Sequence, residues 1–342
     1  MKNANNKTIT SSKLAKLVKG ELRASPDLLI SGVAEPDHCS SGDVILIKKN
    51  PALFVEAMKK ATLVIFPPNV EVPPSVPAII TENPDKAFIA VLSFFDPYDE
   101  TPSTHHGIHP SAVIGKEVTM AAGVQMGENS VVGDHSYIHS NVVIGKNVSI
   151  GKNAVIHPGV VIYDNTIIGD DVLIKANTVI GGKGFGYIQA DGIHHTVPQI
   201  GRVRIGNHVD IGACCCIDRA TLGETLVEDW VKIDNLCQIA HNVVLKRAAI
   251  IISQVGISGS SSVGENSILA GQVGLADHVH VGKNVLVGAQ SGVNKSIPDG
   301  EAWFGYPARP MMRAKRIEAV ISKLPELYKD IDKIISGVKN NE

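Results

Sequence analysis

The residues best suited by type and spacing to do chemistry are His241, Gly259 and the adjacent pair Asp277 and His278, which recur at intervals of 18. If 18 residues complete one turn of a repeating coil, these positions stack along one edge. Successive levels then lie about 5 Å apart and the outer two roughly 10 Å apart. Neutral imidazole can take a proton from an attacking amine or hydroxyl near neutral pH. An unobstructed glycine N–H one level along can hydrogen-bond the oxyanion of a tetrahedral intermediate. That pairing suits acyl transfer from a thioester, with the acceptor attacking directly and no Ser or Cys nucleophile intervening. The plain alternative is a corner histidine that makes a structural hydrogen bond.

Metal chemistry is a weaker reading, because it needs three histidines to converge. His105, His106 and His109 fall in a linker, His194 and His195 in a loop, and His278 and His280 are two residues apart in extended chain. None has convincing ligand spacing, so no metal is expected. Cys214, Cys215 and Cys216 are adjacent and no CxxC pair occurs. In extended chain they alternate in and out, which favours buried thiols over ligands and fits a reducing cytoplasm.

These positions stack only if the coil exists, and the hydrophobic pattern provides it. From Ile114 to Ile180 every sixth residue is aliphatic or Met, often followed by Gly. A second series runs in step from Ile233 to Val293, and Ile205, Ile211 and Ile217 keep the period between them. Period six fits neither an amphipathic helix nor a plain alternating strand. It predicts a mainly β fold, a left-handed parallel β-helix of hexapeptide repeats, with one inward aliphatic residue per face. Glycine or a small polar residue is expected at the corners, where the backbone turns tightly. On the repeat alone an acyltransferase, a γ-class carbonic anhydrase-like metalloenzyme and a passive scaffold all remain open.

The pattern sets the domain boundaries. Residues 1–100 lack hexads and read as a small α/β domain, with VILIKKN and ATLVIFPP as buried strands and a short helix at Leu14 to Val18. Residues 101–110 form a linker, 111–306 the β-helix, and 182–200 an excursion from it. A second register break lies near 219–232. Residues 307–342 predict helices with an apolar stripe. Lys295, Arg309, Arg313 and Arg316 belong to the most basic region, read either as a solvated face or as a docking surface for an acidic protein. A formal net charge of -2 gives no general pull toward nucleic acid or an anionic membrane. No apolar run is long enough to span a bilayer, and the polar N-terminus lacks a signal-peptide core.

The segments PQIGRVRIGNHVDIGACCCIDRATLGET and KIDNLCQIAHNVVL resemble the UDP-3-O-acylglucosamine N-acyltransferases of lipid A synthesis. So do GFGY, HHGIHPSAVIG and SIPDGEAWFGYPARP. The resemblance implies a cytoplasmic homotrimer with active sites in the grooves between prisms. It implies transfer of a 3-hydroxyacyl chain from the phosphopantetheine of acyl carrier protein to the 2-amine of UDP-3-O-(3-hydroxyacyl)glucosamine, with no further cofactor. His241 corresponds to the general base and Gly259 to the oxyanion donor. His278 corresponds to a second histidine near the substrate's phosphate and sugar. Asp234, Asn235, Gln238 and Asn242 would position substrate. A uracil site is implied around Asn50 and Pro51, with the expected Tyr position falling on Leu53 or, one residue on, Phe54, and Leu46 where a Phe is expected. Ala289, Ser291 and Gly292 would leave room for an acyl chain, and the basic residues named above would receive the carrier protein. The runner-up is a nucleotide-sugar-binding paralogue with a different donor or acceptor.

Overall fold

A computed structural model describes residues 7–98, 101, 106–305 and 311–339, with only the backbone described at 311–315 and 334–339. Residues 1–304 form one compact unit and residues 305–342 a second.

The N-terminal part is a five-stranded mixed sheet in the order Glu21–Arg23, Ala78–Ile80, Leu63–Phe66, Asp43–Leu46, Gly32–Val33. All neighbours are parallel except Glu21–Arg23, which runs antiparallel to Ala78–Ile80. The run LVIF is apolar throughout because both faces of its strand are covered. Leu63 and Ile65 pack under helices Ser11–Leu17 and Pro84–Phe95, while Val64 and Phe66 face helix Val55–Lys60.

The far side of helix Pro84–Phe95 closes the joint with the next domain. Its Leu92 is buried with Val197 and Leu222, which belong to the two register breaks. Arg219 strengthens the joint. It is 4% exposed, and its guanidinium lies 3.6 Å over the ring of Tyr98. The Tyr98 hydroxyl donates to the Gly201 carbonyl at 2.5 Å. Arg219 Nε and Nη1 have no hydrogen-bond partner, so the aromatic face carries much of the compensation for burying this charge.

From Ile108 onward the chain is a parallel β-solenoid whose three sheets hold nine, nine and ten strands, most of two residues. Away from the two insertions and the last coil, each strand pairs with the one 18 residues on, as Met126 does with Ile144. The inward aliphatic residues from Met126 to Val293 form one continuous buried column. Each buried Ile or Val contributes about 1.5–3 kcal/mol, so the fold needs no aromatic core. Ile114, on the outermost coil, stays 41% exposed.

The glycines have a different reason from the one expected. Gly127, Gly133, Gly145 and Gly151, which follow the inward residues, do not adopt left-handed backbone. A Cβ at Gly127 would lie 2.6 Å from the carbonyl carbon and oxygen of Gly145, one coil away. Close stacking of coils therefore excludes a side chain there. The left-handed corner lies two residues later, at Asn129, His135, Asn141, Asn147 and Asn153, all with φ between 54° and 60°. Asn and its polar relatives tolerate that conformation best after Gly.

Both breaks are insertions that leave the prism intact. Ile168 pairs with Ile205, and the residues between them include the hairpin Tyr187–Ala190 and Ile193–Thr196. Ile211 pairs with Ile233 across the second, shorter insertion. Residues 305–342 contain helices Met311–Ile321 and Leu324–Lys339, on which Val320, Ile321, Leu324, Leu327, Tyr328 and Ile331 are exposed. No helix among the described residues is long and apolar enough to cross a membrane.

Candidate active site

His241 and Asn242 sit at the corner after strand Gln238–Ile239, with Asn242 in the left-handed conformation. Gly259 occupies the equivalent corner one coil on. The ring of His241 fills the space where a side chain at 259 would go. A Cβ there would lie 2.6 Å from both Cε1 and Nε2 of the imidazole. The next coil brings His278, whose backbone N–H donates to Gly259 O at 3.1 Å. His241 and Gly259 are half-buried and His278 is exposed. The 18-residue arithmetic thus places these three on one edge, with His278 one position out of column.

Hydrogen bonds fix which nitrogen of His241 bears the proton. Thr221 N–H donates to Asn242 Oδ1 at 2.9 Å, and Asn242 Nδ2 donates to Leu222 O at 2.8 Å. The amide is therefore held with its oxygen toward His241 Nδ1, 3.2 Å away. Nδ1 must then carry the hydrogen, which leaves the Nε2 lone pair as proton acceptor on the side of Gly259. Glu35, just past the strand Gly32–Val33 of the N-terminal sheet, adds a weak contact at 3.5 Å to Asn242 Nδ2. Desolvation in the cleft raises the Glu35 pKa. Glu35 also lines a cavity of about 280 Å³ between the N-terminal domain and the prism, together with Val33, Phe95, Tyr98, Ile200 and Leu222.

The other expected contacts divide. Asp234 and Asn235 sit at the preceding corner. Asn235 Oδ1 accepts Ala213 N–H at 2.8 Å, and its Nδ2 donates to Asp234 Oδ1 at 2.9 Å. Asn235 is thus committed to joining coils, the same use the fold makes of Asn242 Oδ1. Gln238 lies on the strand between the two corners and donates to Asp218 Oδ2 at 2.8 Å. Above Gln238 in the same sheet, Gly256, Gly274 and Gly292 leave open space. Asp218 was not singled out from the sequence. Burial pushes its carboxyl up to about 6 although Gln238 opposes the shift. Its outward place in IDRATLGET, beside inward Ile217 and Arg219, was the available signal.

Asn50 is exposed with φ 49°, and Phe54 is half-buried against the core around Ile45 and Met58. Leu46 packs on the opposite core, and Leu53 is 76% exposed. Lys295 is exposed, 5.5 Å from the ring of Trp303. Arg316 is exposed on helix Met311–Ile321, while Arg309 and the side chain of Arg313 lie outside the described residues. Ser291 corrects the expectation of a small groove residue. It is 5% exposed and donates to Gly288 O, whereas Ala289 and Gly292 are exposed. His109 meets Ser111, and His105 lies outside the described residues. Among the described residues no three His, Cys, Asp or Glu side chains are grouped to hold a metal. The cysteines are free, with Cys214 exposed, Cys215 buried and Cys216 between.

Comparison with known proteins fits this geometry. The bacterial transferase hexapeptide (six repeats) family profile matches residues 123–156 and 147–182. The UDP-3-O-acylglucosamine N-acyltransferase of Desulfotalea psychrophila is 44% identical over 338 residues, covering 97% of each chain. The chain belongs to the UDP-3-O-acylglucosamine N-acyltransferase family. Its relative of that name in Methylacidiphilum infernorum is 44% identical over 328 residues, covering 94% of this chain and 93% of the other. Membership in the UDP-3-O-acylglucosamine N-acyltransferase family makes the protein an acyltransferase. The solved UDP-N-acetylglucosamine acyltransferase of Arabidopsis shares the fold at a TM-score of 0.52 and 24% identity, covering 58% of this chain and 69% of that one.

Proposed function

We propose that the protein transfers a 3-hydroxyacyl chain from acyl carrier protein to the 2-amine of UDP-3-O-(3-hydroxyacyl)glucosamine, in lipid A biosynthesis. The observation that carries this reading is the His241 ring resting over side-chain-free Gly259, with its acceptor nitrogen on that side. The amine attacks the thioester carbonyl while His241 Nε2 takes its proton. Gly259 N–H holds the resulting oxyanion. Collapse expels the phosphopantetheine thiolate, which recovers the proton from the imidazolium, and an amide replaces the thioester.

In this reading His278 faces the phosphates and sugar, and Gln238 with Asp234 contacts the acceptor. The loop at Asn50 and Phe54 holds the uracil. Lys295, Arg309, Arg313 and Arg316 receive the acidic carrier protein, and three copies assemble so that the sites lie in grooves between prisms. The names of the relatives support the acceptor. A second reading keeps the chemistry and changes the acceptor. Leu46 favours it, because this residue packs into the core and offers no aromatic face to a base.

The deciding experiment supplies 3-hydroxyacyl carrier protein with either UDP-3-O-(3-hydroxyacyl)glucosamine or UDP-N-acetylglucosamine and follows product mass. Amide formation on the first acceptor alone is expected. Transfer only to a different acceptor would contradict the substrate assignment.

A further inference from the structure

The excursion at 182–200 returns to the catalytic corner of its own chain. Past Ile180 the strand Val179–Lys183 continues beside Cys216–Arg219, pairing Gly182 with Asp218 and Lys183 with Arg219. This directs Gly184 onto His241. A Cβ at Gly184 would lie 2.8 Å from His241 Cβ and 3.1 Å from Cδ2. The imidazole is thus bounded by Gly184 on one side, Gly259 on another and Asn242 at Nδ1.

Gln199 holds the loop in that place. It is 3% exposed, and both ends of its amide are used. Oε1 accepts the Thr221 hydroxyl at 2.8 Å, and Nε2 donates to Val197 O at 3.0 Å. A Cβ at Gly186 would lie 2.6 Å from Gln199 Nε2, and at Gly184 3.2 Å from Oε1, so the two glycines wrap the amide. Val197 N–H returns to Gly186 O at 3.0 Å. Thr221 in turn gives its N–H to Asn242 Oδ1, the acceptor that sets the His241 tautomer. One buried amide therefore joins the loop that walls the ring to the bend at Thr221 that orients it.

We propose that Gln199, Gly184 and Thr221 are positioning residues, which act on transfer by fixing the rotamer and tautomer of His241. The inference rests on the assignment of His241 as base. Misplacing a reacting group by about 1 Å costs on the order of 10²-fold in rate. Loosening the ring is expected to lower kcat by about tenfold or more and to leave KM for both substrates nearly unchanged.

The test compares full-length Gln199→Leu, Thr221→Val, Thr221→Ser and Gly184→Ala with wild type by kcat, KM and crystal structure. Gln189→Ala, at the exposed end of the hairpin, is the control. Expected are a lower kcat and a rotated His241 ring in Gln199→Leu, Thr221→Val and Gly184→Ala, with both restored in Thr221→Ser. Thr221→Val keeps the backbone and volume, so it decides the matter if Gln199→Leu does not fold. An unchanged ring and kcat in Thr221→Val and Gly184→Ala would overturn the proposal. So would a lower kcat with an unmoved ring, or a higher KM alone, which would place the loop on the substrate. Full activity in His241→Ala would instead defeat the base assignment, a result separable from these because ring orientation is read without turnover.

Discussion

Asn242 Oδ1 stands 3.2 Å from His241 Nδ1 and cannot turn away, because Thr221 N–H holds the oxygen and Leu222 O holds the amide nitrogen. The relationship gives a corner asparagine, a recurrent device of this fold, a second use as orienter of a base.

Replacing that amide should change the base in a defined direction. In Asn242→Asp a carboxylate beside Nδ1 favours the imidazolium over the neutral base. The acid limb of the kcat/KM profile is expected to move to higher pH. Asn242→Ala should lower kcat by about tenfold or more without that displacement, because the tautomer is no longer selected. Initial-rate measurements across pH on both variants check this.

Gly259→Ala should be severe for activity and mild for folding. The new Cβ would meet His241 Nε2 at 2.6 Å, so the ring must leave its position. A fall in kcat of about 10²–10³-fold is expected, in the range for loss of an oxyanion donor. The melting temperature should change little, since position 259 is half-exposed at a corner.

The two kinds of repeat position should respond differently to substitution. Gly127→Ala forces coils apart, because its Cβ would lie 2.6 Å from Gly145 C and O. A loss of about 1–3 kcal/mol is expected in denaturant unfolding. Asn129→Gly, at φ 56°, should lie within about 0.5 kcal/mol of wild type.

Asp218 makes stability pH-dependent in a predictable sense. Its folded-state pKa of about 6 exceeds the ordinary 3.8, so the folded protein binds the extra proton across that interval. Stability from this group is therefore greatest below 3.8 and declines as pH rises to about 6. Asp218→Asn keeps an acceptor for Gln238 and removes the buried charge. The variant should melt higher than wild type at neutral pH and match it more closely in acid, as thermal unfolding at several pH values would reveal.

The prism was legible because one inward aliphatic residue per hexad is a requirement of packing, and 18-residue stacking follows from it. That arithmetic brought His241, Gly259 and His278 to one edge without the structure. It could not reach Gly184, Gln199, Thr221 or Asp218, because these lie in or beside insertions where the count fails. Gly184 and His241 touch through a loop whose path depends on tertiary contacts with Gln199. The glycine pattern was legible while its cause was not, since sequence alone does not separate a left-handed φ from a close approach between coils. Likewise, no spacing rule distinguishes Ala289 on the surface from Ser291 within.

The most direct test of the account is the rate of acyl transfer from 3-hydroxyacyl carrier protein to UDP-3-O-(3-hydroxyacyl)glucosamine by wild type and His241→Ala. Robust amide formation by wild type and a fall in kcat of about 10²–10⁴-fold in the variant, with the fold intact, are expected. Equal rates in the two proteins would contradict the account.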